Sequence, residues 1–446
     1  MATTRNSSTG SALARAALAV AAAAALLFVA TSSHGPSRPS WAASLDADEL
    51  DLVGFAGRMP DSKKPKLTAY FLHESYPRGG TARLVIADTA DDVSVQLFRA
   101  GGEREETIPH DVMLGSAASA RRPIGNVDGR RELSLRLGNW PSGMYYAQLT
   151  SGDRTGYAPF VLRPHVLGEH RIALVLPTQS WQAYNFRDDD GDGRPNTWYA
   201  GGNKARLIRP FTDRGVPPHW EQYDAPFIRW LVQKGREVDY LSDQDLRTAS
   251  SGLRLAKAYS LLIFSGHHEY VTKHEYDVVT GFRNRGGDLM FLSANNFFWK
   301  ITIRDDVMTK VAQWRDLGRP EAALIGVGYR GNDRGKHRGP WIVRDTHSAS
   351  WLFAGTKLDV GGRFGKAGIE VDKTTPSSPR QLHILAEVPN LLGPGLSGQM
   401  TYYETAAGAK VFAAGAFTLA GAVWDYDIEP LMENLWRHMT ADAAAA

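Results

Sequence analysis

The chain has 446 residues, of which 43% are hydrophobic and 22% charged, a composition typical of a globular protein with two or three domains. It contains no cysteine, which excludes disulfide bonds, a disulfide-linked partner, thiolate metal ligands and a cysteine nucleophile. Three of the 51 lysines and arginines precede residue 43 and no acidic residue does, so the remainder has 48 basic and 48 acidic side chains. This balance indicates no nucleic-acid-binding surface and no basic membrane-binding surface.

The first 43 residues have the pattern of a secretory signal peptide. Arg5 and Arg15 precede an apolar run over residues 16–30, and Ser40-Trp41-Ala42 offers small residues around a cleavage site. We predict a signal peptide over residues 1–43 and an exported protein, extracellular or at the cell surface. The apolar run is shorter than the ~20 residues that span a bilayer, so an uncleaved anchor is the alternative. The polar stretch over residues 44–65 predicts a linker.

Residues 66–164 have the pattern of an all-β domain. Short runs that alternate apolar and polar side chains, at 82–86, 93–97 and 133–137, are separated by glycine, aspartate and proline. Alternation of this kind is typical of antiparallel strands with one face in water. We predict an immunoglobulin-like β-sandwich here.

Residues 165–440 have a different periodicity. Continuous apolar runs at 172–176, 261–264 and 289–292 indicate strands that are covered on both faces, and helical patterns lie between them. This alternation predicts a doubly wound, mostly parallel sheet, that is, an α/β domain. Ligands of such sheets bind beyond the carboxyl ends of the strands.

Polar and aromatic side chains follow the ends of these predicted strands. Tyr184 comes after the first run, His267 and Glu269 after the next, and Asn295 after the last, while Tyr223 precedes a predicted helix. Side chains two residues apart in an extended segment point the same way, so His267 and Glu269 should face one site.

At these positions the sequence resembles the C-terminal domain of the N,N-dimethylformamidase large (beta) subunit family, from about Leu162 to Arg437. The resemblance implies a fold like that of the class I glutamine amidotransferases, without the cysteine chemistry. The motifs that carry it are Trp181-Gln182-Ala183-Tyr184-Asn185, Gln222-Tyr223-Asp224, His267-His268-Glu269-Tyr270, Gly286-Gly287-Asp288-Leu289-Met290-Phe291 and Met400-Thr401-Tyr402-Tyr403-Glu404-Thr405.

The same resemblance implies a mononuclear iron site and an amide hydrolase. Its metal ligands match Tyr184, Tyr223 and Glu269. Its catalytic residues match His267, Asn295 and Glu404.

The ligand chemistry agrees with this assignment. Two tyrosinates and a carboxylate suit a trivalent ion such as Fe(III) better than zinc, since only a strongly Lewis-acidic ion displaces a phenolic proton. The expected reaction is hydrolysis of a small amide or N-substituted formamide by metal-activated water. His267 would take the proton of the water, Asn295 would bind the oxyanion, and Glu404 would pass a proton to the amine.

Several alternatives remain at the level of sequence. Tyr184 and Tyr223 could be packed core aromatics, His268 a loop-bonding residue, and Glu404 a solvated strand residue. The acidic loop at 188–193 has alternate aspartates like a calcium loop but lacks the final glutamate, so we favour a turn capped by Asp side chains.

The function and the partners also leave alternatives open. The protein could be a non-catalytic exported binding or surface protein that retains the fold. A small-molecule amide is the expected partner. A homo-oligomer is compatible with the sequence, and the family's enzyme works with a separate small subunit.

Overall fold

The computed structural model describes residues 62–103, 108–417 and 419–444. The predicted signal peptide, and all but the last four residues of the predicted linker, lie outside these ranges. Within them, no helix is both long enough and apolar enough to span a bilayer.

In the described residues up to Arg163, nine strands form two sheets. Their order is β1-β3-β7 in the smaller sheet and β2-β9-β8-β4-β5 in the larger, where β6 also pairs with β4. Inward-facing residues of both sheets, such as Leu84 and Phe160, share one hydrophobic core. All pairs are antiparallel except β2 with β9. The strands are β1 Ala69–Phe71, β2 Ser75–Pro77, β3 Thr81–Ile86, β4 Ala90–Arg99, β5 Ser116–Ala117, β6 Arg122–Val127, β7 Arg131–Arg136, β8 Gly143–Ser151 and β9 Arg154–Arg163.

The remaining strands form a large sheet and a small one. The large sheet has the order β12-β10-β13-β15-β23-β22-β21-β19-β20-β18, with β24 on β20, and the small sheet has the order β11-β17-β16-β14. The strands are β10 Ile172–Leu176, β11 Lys204–Arg206, β12 Asp239–Ser242, β13 Leu261–Phe264, β14 Tyr270–Thr272, β15 Asp288–Phe291, β16 Trp299–Arg304, β17 Val307–Gln313, β18 Gly328–Asn332, β19 Arg338–Val343, β20 Arg363–Lys373, β21 His383–Val388, β22 Gly398–Glu404, β23 Lys410–Ala413 and β24 Ala416–Phe417.

Helices connect and cover these strands. The helix Lys273–Arg283 begins with a capping box formed by Thr272 and Glu275. A single turn of π-helix, Trp220–Asp224, leads into α2. The α-helices are α1 Thr178–Ala183, α2 Ala225–Gln233, α3 Asp243–Thr248, α4 Gly252–Ala258, α5 Lys273–Arg283, α6 Ala322–Ile325, α7 Ser350–Phe353, α8 Glu429–Met439 and α9 Ala441–Ala444, and short 3-10 helices span Trp198–Ala200, Asp213–Gly215 and Trp314–Leu317.

The large sheet is mixed, whereas the sequence predicts a mostly parallel one. Strands β12, β10, β13, β15 and β23 are parallel, but every pair from β23–β22 onward is antiparallel. The cause is the length of the connections: no helix lies between β21 and β22 or between β22 and β23. Parallel neighbours need a crossover of a dozen or more residues. Likeness to glutamine amidotransferases or immunoglobulin domains stays a prediction.

The β-sandwich packs against the large sheet through a continuous core. Met144 and Tyr157 of the sandwich belong to the same buried cluster as Leu174 and Phe227. Buried apolar side chains from both regions are thereby removed from water together, which stabilises their contact.

Gly215 provides a test of the close packing between the β-sandwich and the rest of the protein. Gly215 has φ +95°, and a Cβ there would lie 1.9 Å from the carbonyl oxygen of Tyr157. We expect Gly215→Ala to destabilise the protein by about 3 kcal/mol or more in urea unfolding, because backbone must move. Gly201 is the control, since it has φ +97° but no atom within 4 Å of a Cβ. Gly201→Ala should lower the free energy of unfolding by only ~1 kcal/mol. Equal losses in the two variants would contradict a backbone clash at Gly215.

Candidate active site

Three predicted site residues meet at the carboxyl edge of the parallel strands. Tyr184 directly follows α1, which begins just past β10, and its backbone N–H donates to the carbonyl of Ser180 at 2.9 Å. His267 and Glu269 lie in the loop after β13. The Ser180 hydroxyl accepts the backbone N–H of Glu269 at 3.2 Å, which ties this loop to α1.

The side chains of these three residues are in direct contact. The Tyr184 hydroxyl donates to Glu269 Oε2 at 2.5 Å and lies 2.9 Å from His267 Nε2, which is 3.0 Å from the same carboxylate oxygen. All three are buried. Ligand atoms that share one ion at bond lengths of ~2.1 Å lie about 3 Å apart, so the Tyr184 hydroxyl and Glu269 Oε2 are close enough to bind one ion together.

The second carboxylate oxygen of Glu269 gives an independent test of that fit. Glu269 is 0% exposed, and its Oε1 has no hydrogen-bond partner among the described residues. A buried carboxylate is costly unless a cation or hydrogen bonds compensate it. The residues present therefore fit a bound cation.

Tyr223 lies on the wall of the same pocket as Tyr184 and His267. Its ring stacks on His219 with centroids 4.8 Å apart and packs on Phe417 at 4.8 Å. We call this pocket the aromatic pocket, because the rings of Trp181, Tyr184, His219, Tyr223, His267 and Phe417 line it.

Asn295 makes a second cluster behind His267. Its Nδ2 donates to Glu370 Oε1 at 3.2 Å, and its backbone N–H donates to both carboxylate oxygens of Asp372 at 3.0 Å. Glu370 Oε2 lies 3.8 Å from His267 Nδ1. Glu370 and Asp372 are both buried on β20.

Glu404 does not belong to this site, so its predicted place there is wrong. It is exposed at the end of β22, where its backbone lies opposite Lys410 at the start of β23 and its carboxylate accepts the Tyr402 hydroxyl at 2.5 Å. Because β22 runs antiparallel to β23, its carboxyl end lies at the edge opposite the site. A parallel β22 would have placed Glu404 at the site edge.

Glu370 is the glutamate that the structure places beside His267 instead. Neither Glu370 nor Asp372 was predicted from the sequence. The sequence pattern that could have identified them is Ile369-Glu370-Val371-Asp372, which has two acids at alternate positions. Alternation normally indicates a half-solvated strand, but here both acids are buried.

Three residues at the pocket or beside it have a positive backbone φ. The angle is 56° at His219, which lines the pocket, 54° at Asn295 and 67° at Ile369, which packs with Phe417. A positive φ is a genuine outlier for a β-branched residue such as Ile369, which lies at a register shift of β20. Strain of this kind persists where the surroundings enforce it and clusters at functional sites.

Burial shifts the protonation of three groups near the pocket. It raises the pKa of Asp224 to about 7 and that of Asp372 to about 7, because a charged carboxylate loses its hydration there. It lowers the pKa of His219 to about 4, since the charged imidazolium is penalised in the same way. His219 and Asp224 both line the aromatic pocket, and perturbed groups that share a cleft indicate a functional site.

A comparison with known protein families finds one that matches most of the chain. The family described as "N,N-dimethylformamidase beta subunit-like, C-terminal" matches residues 130–427. The chain belongs to this family. The match begins beside β7, earlier than the resemblance at about Leu162, so the matched range includes part of the β-sandwich.

Two curated relatives carry the corresponding name. The N,N-dimethylformamidase beta subunit of Paracoccus aminophilus is 22% identical over 408 residues, covering 68% of this chain and 53% of the relative. That of Alcaligenes sp is 23% identical over 345 residues, covering 63% and 45%. The chain thus spans about half the length of these relatives. Among solved structures, an uncharacterized protein from Bacillus anthracis str. Ames aligns with 22% of this chain and 84% of that chain at 13% identity, with a TM-score of 0.17, too low to indicate a shared fold.

Other predicted features of the family's domain have structural roles. His268 Nε2 lies 3.1 Å from the carbonyl oxygen of Val175, in keeping with the expected loop contact. In the acidic loop, Asp188 accepts the backbone N–H groups of Gly191 and Gly193 at 2.7 and 2.9 Å. These Asp caps are those expected of a turn.

Proposed function

We propose that the chain is a metal-dependent hydrolase of small amides, such as N-substituted formamides. The observation that carries this proposal is that Tyr184 and His267, on the wall of the aromatic pocket, both contact the buried carboxylate of Glu269. Membership of the N,N-dimethylformamidase beta subunit-like family supports the same reaction class.

Tyr184, Tyr223 and Glu269 would hold the metal ion, for which we propose mononuclear Fe(III). Two phenolates and one carboxylate balance its three positive charges. The unpartnered Glu269 Oε1 supports a cation at this position. When bound, the ion would supply Lewis acidity toward the amide carbonyl and the attacking water.

The side chains of this protein supply the proton transfers. His267 takes a proton from the water as its oxygen bonds to the carbonyl carbon, and Glu370 stabilises the resulting imidazolium through the Nδ1 side. Asn295, held by Glu370, binds the developing oxyanion. The C–N bond then breaks with its electron pair left on nitrogen, which takes the proton from His267. The products are a carboxylic acid and an amine.

The first experiment measures metal content and turnover on one preparation. We expect about one iron per chain and hydrolysis of N,N-dimethylformamide to formate and dimethylamine, with His267→Ala abolishing hydrolysis but retaining iron. Iron-free protein would contradict the metal site. Iron-loaded protein that hydrolyses no small amide would favour the non-catalytic binding protein.

Two further features belong to the proposal. The signal-like first 43 residues support export. The relatives are named beta subunits, which supports assembly of this chain with another subunit or with further copies of itself.

A further inference from the structure

One carboxyl group in the aromatic pocket has no role in the proposed reaction. Asp224 lines the pocket although it is only 1% exposed. Its Oδ2 accepts the indole N–H of Trp181 at 3.0 Å, whereas its buried Oδ1 has no partner among the described residues. An unsatisfied buried oxygen destabilises a fold by ~1–3 kcal/mol, and more when charged, so it calls for an explanation.

The structure leaves space for Asp224 Oδ1, although this oxygen accepts no hydrogen bond in the described residues. A Cβ on Gly266 would lie 2.4 Å from Asp224 Oδ1, so only glycine lets the carboxyl group sit there. Asp224 stands at the start of α2, yet its side chain makes no capping hydrogen bond. Helix capping, the usual structural role of such a residue, therefore does not account for it.

The rest of the pocket wall suits a small organic cation. Trp181, Tyr184, Tyr223 and Phe417 present aromatic rings, and alkylated ammonium ions bind to the faces of such rings. Asp224 is the acidic side chain on this wall. Aromatic rings around one carboxylate recognise the alkyl groups and the N–H of an alkylammonium ion together.

We propose that the aromatic pocket binds the amine half of the substrate and holds it, once released, as an alkylammonium ion whose N–H donates to Asp224. This inference rests on the proposed function, since cleavage of the C–N bond generates the amine. The carboxylic acid product ionises, and its proton converts the amine into the ammonium ion. A tertiary amide has no N–H, so this hydrogen bond forms only after cleavage and favours the product side of the step.

The unaltered protein provides the first test. Calorimetry at pH 7 compares dimethylammonium, which has N–H donors, with tetramethylammonium, which has none but still binds aromatic rings. We expect dimethylammonium to bind at least ten-fold more tightly. Equal affinities, or tighter binding of tetramethylammonium, would overturn the proposal.

Asp224→Asn provides the second test. The Trp181 N–H needs an acceptor, so the amide oxygen should face Trp181 and its NH₂ group should face the pocket, where it repels an ammonium N–H. We expect the preference for dimethylammonium to disappear while the melting temperature stays near that of the unaltered protein. Glu221→Gln removes one nearby charge outside the pocket and should preserve the preference.

The two proposals fail in different ways. Loss of the preference in both variants, or its persistence in Asp224→Asn, would refute the role of Asp224 even if amide hydrolysis is present. Cation selectivity that depends on Asp224, without hydrolysis of any amide, would contradict the hydrolase and not the cation site.

Discussion

Tyr184→Phe should yield colourless protein with less than about a tenth of the iron of the unaltered chain and at least ~100-fold lower amide hydrolysis. The substitution removes the hydroxyl that contacts both Glu269 and His267. Tyrosinate bound to ferric iron absorbs visible light, so the absorption spectrum and metal analysis report the loss independently of activity.

Tyr199→Phe is the matched control for this variant. The Tyr199 ring packs on Tyr184 with centroids 5.2 Å apart, and its buried hydroxyl has no hydrogen-bond partner in the described structure. We expect it to keep both iron and colour. Equal iron in the two variants would exclude Tyr184 as a ligand.

Glu370→Gln should lower kcat by about 10²–10³-fold while iron content and KM change little. The variant keeps the shape of the side chain but removes the negative charge that lies 3.8 Å from His267 Nδ1. That charge stabilises the imidazolium that forms as His267 takes the proton, an interaction made mainly in the transition state. Steady-state kinetics and metal analysis on the same preparation measure both quantities.

Glu404→Gln tests whether Glu370 or Glu404 is the glutamate that supports catalysis. Glu404 is exposed at the opposite edge of the sheet, so its loss should change kcat less than two-fold. A large loss in Glu404→Gln together with a small one in Glu370→Gln would reverse the two assignments.

The positions of Tyr184, His267 and Glu269 could be predicted from the sequence, because the carboxyl ends of parallel strands lie at one edge of a sheet. Tyr184, His267 and Glu269 each come after a continuous apolar run, and such runs end at one edge when crossover helices join them. The rule fails for Glu404, because strand direction depends on the length of connections that carry no helix. It also fails for Glu370, because both faces of β20 are buried at this point, so alternating acids do not mark a solvated face.

The change of strand direction within the large sheet divides the chemistry between two parts of the chain. The groups proposed to bind the ion lie in connections of the parallel half, whereas Glu370 comes from an antiparallel strand. Substitutions in β20 can therefore abolish hydrolysis while the protein still binds the ion. Family members that conserve the tyrosines but lack an acid at the position of Glu370 are candidates for sensors or carriers that descend from a hydrolase.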